Sequence, residues 1–195
     1  SAASTTQAAA PLSGLQQFLA AQPDSDASAW QALALAWGAR LPDGADACAA
    51  LPRDGLRCYR NCRAGLNLVR QIDRPVLLTL FPSEDAEASV SAVLRSLDGD
   101  AATLEGAGRT LRVPVAELAQ VWRGDIATLW RAPPGLPDKG EIADTPAGAA
   151  WLDKQLATKA TGGTGPGSRA VTPALRQARI HRFQLAQGVT PDGRA

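Results

Sequence analysis

Three cysteines and a single histidine are the residues of this 195-residue sequence best suited to chemistry. Cys48, Cys58 and Cys62 lie within 15 residues of one another, whereas His181 lies close to the other end of the chain. A structural zinc ion requires four ligands, commonly with two residues between paired cysteines. Since these three cysteines are spaced differently and have no histidine nearby, we predict neither a metal site nor a cofactor.

Cys48 as a catalytic nucleophile is one interpretation of the cysteines. It lies in a predicted helical turn ahead of a predicted sheet, which is the order found in papain-like peptidases. Such a thiol needs a base, normally histidine, to become a thiolate at neutral pH. Only His181 could serve, and it belongs to a different predicted module, so the catalytic interpretation lacks its base.

A disulfide is the second interpretation, most simply between Cys48 and Cys58. It would close a loop of about 11 residues, leave Cys62 unpaired and place the protein in an oxidising compartment. Buried free thiols are the third interpretation.

Composition and charge exclude several functional classes. The chain is 45% hydrophobic and 20% charged, with a net charge of +1, so charge-driven binding to nucleic acid is not expected. No apolar run approaches the roughly 20 residues that span a bilayer, and any membrane segment would lie upstream. Residues 145–195 carry a charge of +5 and residues 1–144 a charge of −4, which predicts two modules with different surfaces.

The elements that must position these residues follow from apolar periodicity and turn signals. In the first part, the stripe of Trp30, Leu33 and Trp37 favours a helix, and β-period patterns follow from residue 75. The predicted helices span residues 14–21, 26–39, 45–51, 61–72, 114–120, 145–156 and 172–187. The predicted strands span residues 75–81, 88–97, 102–105, 110–113 and 125–131. Helices followed by an antiparallel meander predict an α+β fold.

The tryptophans Trp122 and Trp130 could form a platform for sugars, but their positions on predicted elements favour packing in the core. Ile180 and Phe183 lie one helical turn apart in the last helix, and we expect both of them to be core residues.

The C-terminal run from Ile180 to Gly193 resembles the type 1 peptidoglycan-binding domain. The resemblance lies in Phe183-Gln184, Gly188-Val189 and Asp192-Gly193, which occur at the spacing of the family signature. It implies a small all-α module that binds peptidoglycan, with Arg182, Gln184, Asp192 and Gly193 as the predicted ligand-facing residues. The chain departs from the family at Val171-Thr172, where an aromatic-Asp pair is usual, and it ends at Ala195, ahead of the expected third helix.

The upstream region resembles the periplasmic part of general secretion pathway protein A of the ExeA type, in which a domain similar to C39 peptidases precedes the peptidoglycan-binding module. The motifs that carry the resemblance are Trp30 and Trp37, Cys48, Gly55-Leu56-Arg57-Cys58, Asp73-Arg74-Pro75-Val76-Leu77, Leu97-Asp98-Gly99-Asp100, Trp122-Arg123-Gly124 and Leu129-Trp130. An active C39 peptidase would carry a histidine at the start of the strand predicted at 88–97, where this chain has Ser89-Val90-Ser91-Ala92. The resemblance therefore implies a papain-like or C39-like domain without peptidase activity.

These resemblances predict the domain organisation. We expect a linker at 1–12, an inactive C39-like domain at 13–134, a connector at 135–144 and an incomplete peptidoglycan-binding module at 145–195.

The function that the resemblances imply is that of a non-catalytic periplasmic module of type II secretion, at the C-terminal end of an inner-membrane ATPase. Its expected partners are peptidoglycan, a B-type general secretion protein and the secretin whose assembly it would support. Two alternatives remain open: a cysteine peptidase or amidase that uses Cys48, and a scaffold that binds only proteins.

Overall fold

The computed structural model describes residues 13–137, 140–161, 171–188 and 190–195, and it forms two compact units that divide between Arg131 and Ala132. The linker predicted at 1–12 and Val189 of the peptidoglycan-binding signature lie outside the described residues.

The N-terminal unit contains a six-stranded antiparallel sheet. Its strands are β1 (Leu56–Asn61), β2 (Val76–Leu80), β3 (Val90–Asp98), β4 (Ala101–Gly106), β5 (Arg109–Pro114) and β6 (Trp122–Arg131). Its helices are α1 (Gly14–Ala20), α2 (Ala27–Ala36), α3 (Ala47–Ala50), α4 (Leu66–Ile72) and α5 (Val115–Val121), with a 3-10 turn at Leu51–Asp54. The spatial order β1-β6-β2-β3-β4-β5 keeps β2 to β5 as a meander and inserts β6 between β1 and β2. The predicted α+β class with an antiparallel sheet is confirmed.

Both faces of the sheet are covered, and each has its own core. Successive side chains of a strand point to opposite faces, so Leu78 and Ile126 belong to the core that includes α1, α4 and α5. Their neighbours Leu77 and Ala127 belong to the core that includes α2 and α3. Since β2 is buried on both sides, its sequence is apolar at every position except Thr79 and does not alternate.

Helix α2 presents the predicted apolar stripe to the second core. Trp30 and Leu33 are buried, and Trp37 is half-buried against the same core. Asp26 lies at the start of this helix, where its Oδ2 accepts a hydrogen bond from Trp30 Nε1 at 3.0 Å. That bond fixes the indole ring, which borders a surface cavity described below.

The region from residue 56 to residue 72 differs from the prediction. The helix predicted over 61–72 begins only at Leu66, and the preceding residues form β1, which the sequence analysis did not predict. Leu56 and Cys58 contribute to the second core, and β1 pairs along its whole length with β6. Pairing with a distant strand, rather than local periodicity, therefore determines this segment.

The two tryptophans of β6 have different environments. Trp122 packs against the first core, and its Nε1 donates to the carbonyl of Asp125 at 3.0 Å, as expected of a core residue. Trp130 is 39% exposed, so its predicted place in the core is wrong. It lies on β6 opposite Arg57 of β1, the strand at the edge of the described sheet.

The described part of the C-terminal unit contains the helices α6 (Pro146–Thr161) and α7 (Pro173–Ala186), and a 3-10 turn at Ile142–Asp144. Its small core is formed by Ile142, Leu152, Leu156 and Ile180. Within the described residues, no helix has both the length and the apolar character needed to cross a membrane.

Side-chain bonds fix both helices of the C-terminal unit. The hydroxyls of Thr145 and Thr172 accept hydrogen bonds from backbone N–H groups three residues on, at 3.0 and 3.3 Å, which caps the helix starts. Arg176 of α7 forms a two-pronged bond with Asp153 of α6, at 2.9 and 2.6 Å, and this pair raises the pKa of the Arg176 guanidinium. The two helices are thus held together by a well-shielded ion pair beside a small apolar core.

Candidate functional site

The C-terminal turn brings three of the predicted ligand-facing residues into contact with one another. The side-chain amide of Gln184 donates through Nε2 to Asp192 Oδ1 at 2.7 Å, and its Oε1 accepts from the Gly193 N–H at 2.8 Å. Its Nε2 also reaches the carbonyl of Arg194 at 3.0 Å. Gln184 therefore ties α7 to the turn, and its polar atoms are engaged within the protein.

A second set of bonds anchors the turn to the start of the unit. Arg194 Nε donates to Glu141 Oε1 at 2.6 Å, and the N–H of Ile142 donates to the carbonyl of Ala195 at 2.9 Å. Gly193 is buried with φ at +73°, and a Cβ added there would lie 2.8 Å from Gln177 Cγ. Glycine is therefore needed at this corner for both its backbone conformation and its lack of a side chain.

Hydrogen bonds to the carboxylate of Asp192 lower its pKa below the ordinary value. The strongest cause is the N–H of Arg194, which donates to Asp192 Oδ1 at 2.9 Å, followed by the Gln184 amide. A lowered pKa in the folded state means that the turn is most stable above the unfolded pKa of about 3.9 and loosens as the pH falls through the folded value.

We predict that the Arg194 amide proton, followed by NMR, will titrate with a midpoint below about 3.9. The reason is that its acceptor, the Asp192 carboxylate, is protonated only at that lower pH. The variant D192N should lack this step. A midpoint at the ordinary value would contradict the proposed hydrogen bonding of the turn.

A surface groove of about 520 Å³ runs beside the turn and α7. Three of the four predicted ligand-facing residues line it, namely Arg182, Asp192 and Gly193. His181 and Leu185 are also part of the lining. Arg182 is exposed, so its guanidinium is accessible to a ligand in the groove. Gln184 does not line the groove but holds Asp192 and Gly193 at its wall.

Two predicted core residues of α7 have different environments. Ile180 is buried in the core of the C-terminal unit, as expected. Phe183 is 38% exposed, so its predicted place in the core is wrong. The core of this unit is small, and α7 leaves much of its surface uncovered.

In the N-terminal unit, Cys48 and Cys58 form a disulfide with their Cα atoms 5.5 Å apart. The bond joins α3 to β1. Cys62 is a free, exposed cysteine just beyond the end of β1. Because its sulfur is bonded to Cys58, Cys48 has no thiol in this structure and cannot act as a nucleophile in this state.

A cavity of about 470 Å³ lies on the second face of the sheet, beyond the disulfide. Its lining includes Trp30 and the carboxyl end of β1. Ser91 also lines it, and this residue belongs to the stretch in which an active C39 peptidase would carry a histidine. The guanidinium carbon of Arg60 lies 5.1 Å from the centre of the Trp30 ring, and Nη2 of Arg60 lies 3.8 Å from Cys48 Sγ. Among the described residues that line this cavity there is no histidine. Arg60 was not among the predicted site residues, and its position between Cys58 and Cys62 is a sequence signal that could have identified it.

In the described part of the chain, no group of three or more histidine, cysteine or acidic side chains is arranged to hold a metal ion.

Comparison with known proteins relates the fold to two solved structures. The first is a periplasmic domain of the EpsAB fusion protein of the Vibrio vulnificus type II secretion system, with a TM-score of 0.62 and 24% identity, over 90% of this chain and 75% of that chain. The second is the N-terminal peptidase C39-like domain of the toxin secretion ATP-binding protein from Vibrio parahaemolyticus, with a TM-score of 0.35 and 21% identity, over 60% of this chain and 90% of that chain. No protein-family model matches the sequence, and no curated protein matches it significantly. The likeness to the EpsAB periplasmic domain confirms the resemblance to the ExeA-type periplasmic region at the level of the fold.

Proposed function

We propose that this chain is a non-catalytic periplasmic module of a type II secretion system that binds peptidoglycan through its C-terminal unit. In this role it would support assembly of the secretin together with a B-type general secretion protein. The likeness of the fold to a periplasmic domain of a type II secretion protein supports the proposal.

The observation that carries the proposal is the groove beside α7. An exposed arginine, Arg182, lies on the same groove as the carboxylate of Asp192 and the backbone of Gly193. The turn that carries Asp192 and Gly193 is fixed by Gln184 and Glu141, so it needs little reordering on binding. A preorganised polar site loses less conformational entropy when a ligand binds.

The chemistry of the groove suits a glycan that carries short peptides. Peptidoglycan presents sugar hydroxyls, amides and peptide carboxylates. The five donors of the Arg182 guanidinium suit a carboxylate, and the Asp192 carboxylate can accept from a hydroxyl or amide. The charge of +5 on residues 145–195 favours an anionic polymer over a neutral one.

We predict that R182A will weaken retention of the chain on purified peptidoglycan sacculi by about tenfold. A hydrogen bond to a charged group contributes about 1.5–3 kcal/mol, and about 1.4 kcal/mol corresponds to a factor of ten. Co-sedimentation of the 195-residue chain with increasing amounts of sacculi measures the change.

The matched control is R179A, which removes the same charge from α7 at a residue that does not line the groove. It should retain the affinity of the unmodified chain. Equal losses for both variants would indicate binding by overall charge, and no retention of the unmodified chain would overturn the proposal.

The disulfide supports the non-catalytic part of the proposal. A peptidase or amidase that uses Cys48 requires a thiolate at that position and a base beside it. In the structure the sulfur of Cys48 is bonded to Cys58, and Nη2 of Arg60 lies 3.8 Å from it.

A further inference from the structure

We propose that the edge strand β1, over its second half from Cys58 to Asn61, is a docking site for an extended, acidic segment of a protein partner, which adds to the sheet as a further strand. The proposal concerns the N-terminal unit and is independent of peptidoglycan binding. It starts from the sheet order, in which β1 lies at one edge and is paired only with β6 among the described strands.

The two edges of the sheet differ in how they are protected. The opposite edge, β5, ends in Pro114, which has no N–H to donate, and α1 lies beside it, with Leu111 Cδ1 4.0 Å from where a Cβ on Gly14 would be. Proline and covering elements are the usual means of preventing strand addition at an edge. β1 contains no proline, so its outward N–H and C=O groups are suited to pairing with another chain.

Exposure along β1 is consistent with a site for a partner strand. Leu56 is fully buried, but every later residue of the strand is at least partly accessible, and Tyr59 is 39% exposed. Trp130, on the neighbouring strand β6, is exposed to the same extent. Two accessible aromatic side chains beside an open strand edge provide apolar area for the side chains of an incoming segment.

Charge determines the kind of segment that fits. In residues 53–63, Arg53, Arg60 and Arg63 outnumber Asp54, within a region 1–144 that carries −4. Arg53, Arg60 and Arg63 are all exposed. A basic strand edge within an otherwise acidic region attracts an acidic segment more strongly than a basic one. It also determines where on this region the segment docks.

The cavity at the end of β1 adds specificity. Arg60, Asn61 and Cys62 contribute to its wall, and Trp30 and Ile126 give it apolar surface. Arg60 is held above the Trp30 ring, which keeps its guanidinium at the cavity mouth. A segment paired with β1 would have alternate side chains on this face, so one of them can enter the cavity while a neighbouring carboxylate meets Arg60.

Peptide binding tests the charge argument. The probes are fluorescein-labelled peptides of four Glu-Val repeats and four Lys-Val repeats, added to the 195-residue chain and followed by fluorescence anisotropy. We expect the acidic peptide to bind at least about tenfold more tightly, and R60E/R63E to lose most of that preference. The control R109E/R112E reverses the same number of exposed charges on β5 and should leave the affinity unchanged. Equal binding of both peptides, or equal losses in both variants, would overturn the proposal.

Backbone pairing is tested separately, with no change to the protein. Two Glu-Val peptides carry N-methyl groups on alternate amides, one set on each edge of the extended chain. Strand addition uses one edge only, so one methylated peptide should lose binding and the other should retain it. Retention by both peptides would exclude strand addition.

Cys62 reports the register of the docked segment. Each peptide in this series carries one cysteine, activated as a mixed disulfide with 5-thio-2-nitrobenzoate. The Cys62 thiolate attacks the peptide sulfur, a new disulfide forms, and the coloured thionitrobenzoate anion leaves with the electron pair. We expect one or two adjacent cysteine positions to react about tenfold faster than the others, and C62S to abolish the reaction. Uniform rates along the peptide would contradict docking in a defined register.

Discussion

Replacing Cys48 and Cys58 together with alanine is expected to lower the free energy of unfolding of the N-terminal unit by about 2–3 kcal/mol. The bond closes a short loop across α3 and the Leu51–Asp54 turn, and it restricts the unfolded chain. Trp30 and Trp37 pack in the core beside the disulfide, so their fluorescence during unfolding in urea follows this unit.

The control for this prediction is C62S, which removes the exposed free thiol and should leave the unfolding curve unchanged. Reductant should bring the unmodified chain close to the curve of the double variant. An unchanged midpoint in the double variant would show that the bond contributes little to stability.

Thiol labelling of the unmodified chain connects this prediction to function. Iodoacetamide without reductant should label Cys62 alone, because Cys48 and Cys58 are bonded to each other. The peptidase alternative requires Cys48 to be labelled first. Labelling of Cys48 before reduction would therefore support that alternative.

The second large effect is expected from G148A in the C-terminal unit. A Cβ at Gly148 would overlap the carbonyl oxygen of Ile142 and lie 2.7 Å from Ile142 Cγ1 and 2.8 Å from Thr145 Oγ1. Backbone and capping groups cannot move aside as a flexible side chain can, so we expect a loss of about 2–3 kcal/mol in the stability of this unit. Thermal unfolding followed by circular dichroism measures the loss.

The effect of G148A should extend to the groove. Ile142 also pairs with the carbonyl of Ala195, so displacing it disturbs the turn that carries Asp192 and Gly193. Retention on sacculi should fall together with stability. The control G65A makes the same change where nothing lies within 4 Å of the added methyl group, and it should change stability by less than about 1 kcal/mol. Equal effects of both changes would contradict the role assigned to Gly148.

Local signals were sufficient to predict most of the elements. The two Thr-Pro pairs predicted helix starts because a hydroxyl at the cap and a proline in the first turn both favour them, and Thr145 and Thr172 do cap α6 and α7. The apolar run of β2 and the alternation of Val90, Ala92 and Leu94 on β3 likewise predicted strands.

Strand β1, which depends on a distant partner, was not predicted. β1 has arginines and an asparagine among its six residues, and it is a strand because β6 pairs with it from the far end of the unit. The contacts of Gln184 could not be predicted either. Its side chain bonds to Asp192 and Gly193, whose positions depend on the folded turn, and its contact with a ligand stays a prediction.

The insertion of β6 between β1 and β2 has a consequence for the order in which the chain can fold. During synthesis the meander from β2 to β5 can form as soon as residue 114 is available, because its contacts are between neighbours in sequence. β1 has to wait for residues 122–131 before it has any strand to pair with. Closure of such long loops slows folding. The first strand of the N-terminal unit therefore cannot join the sheet before the last strand is present. Until then, the disulfide between Cys48 and Cys58 can join β1 to α3 but not to the sheet.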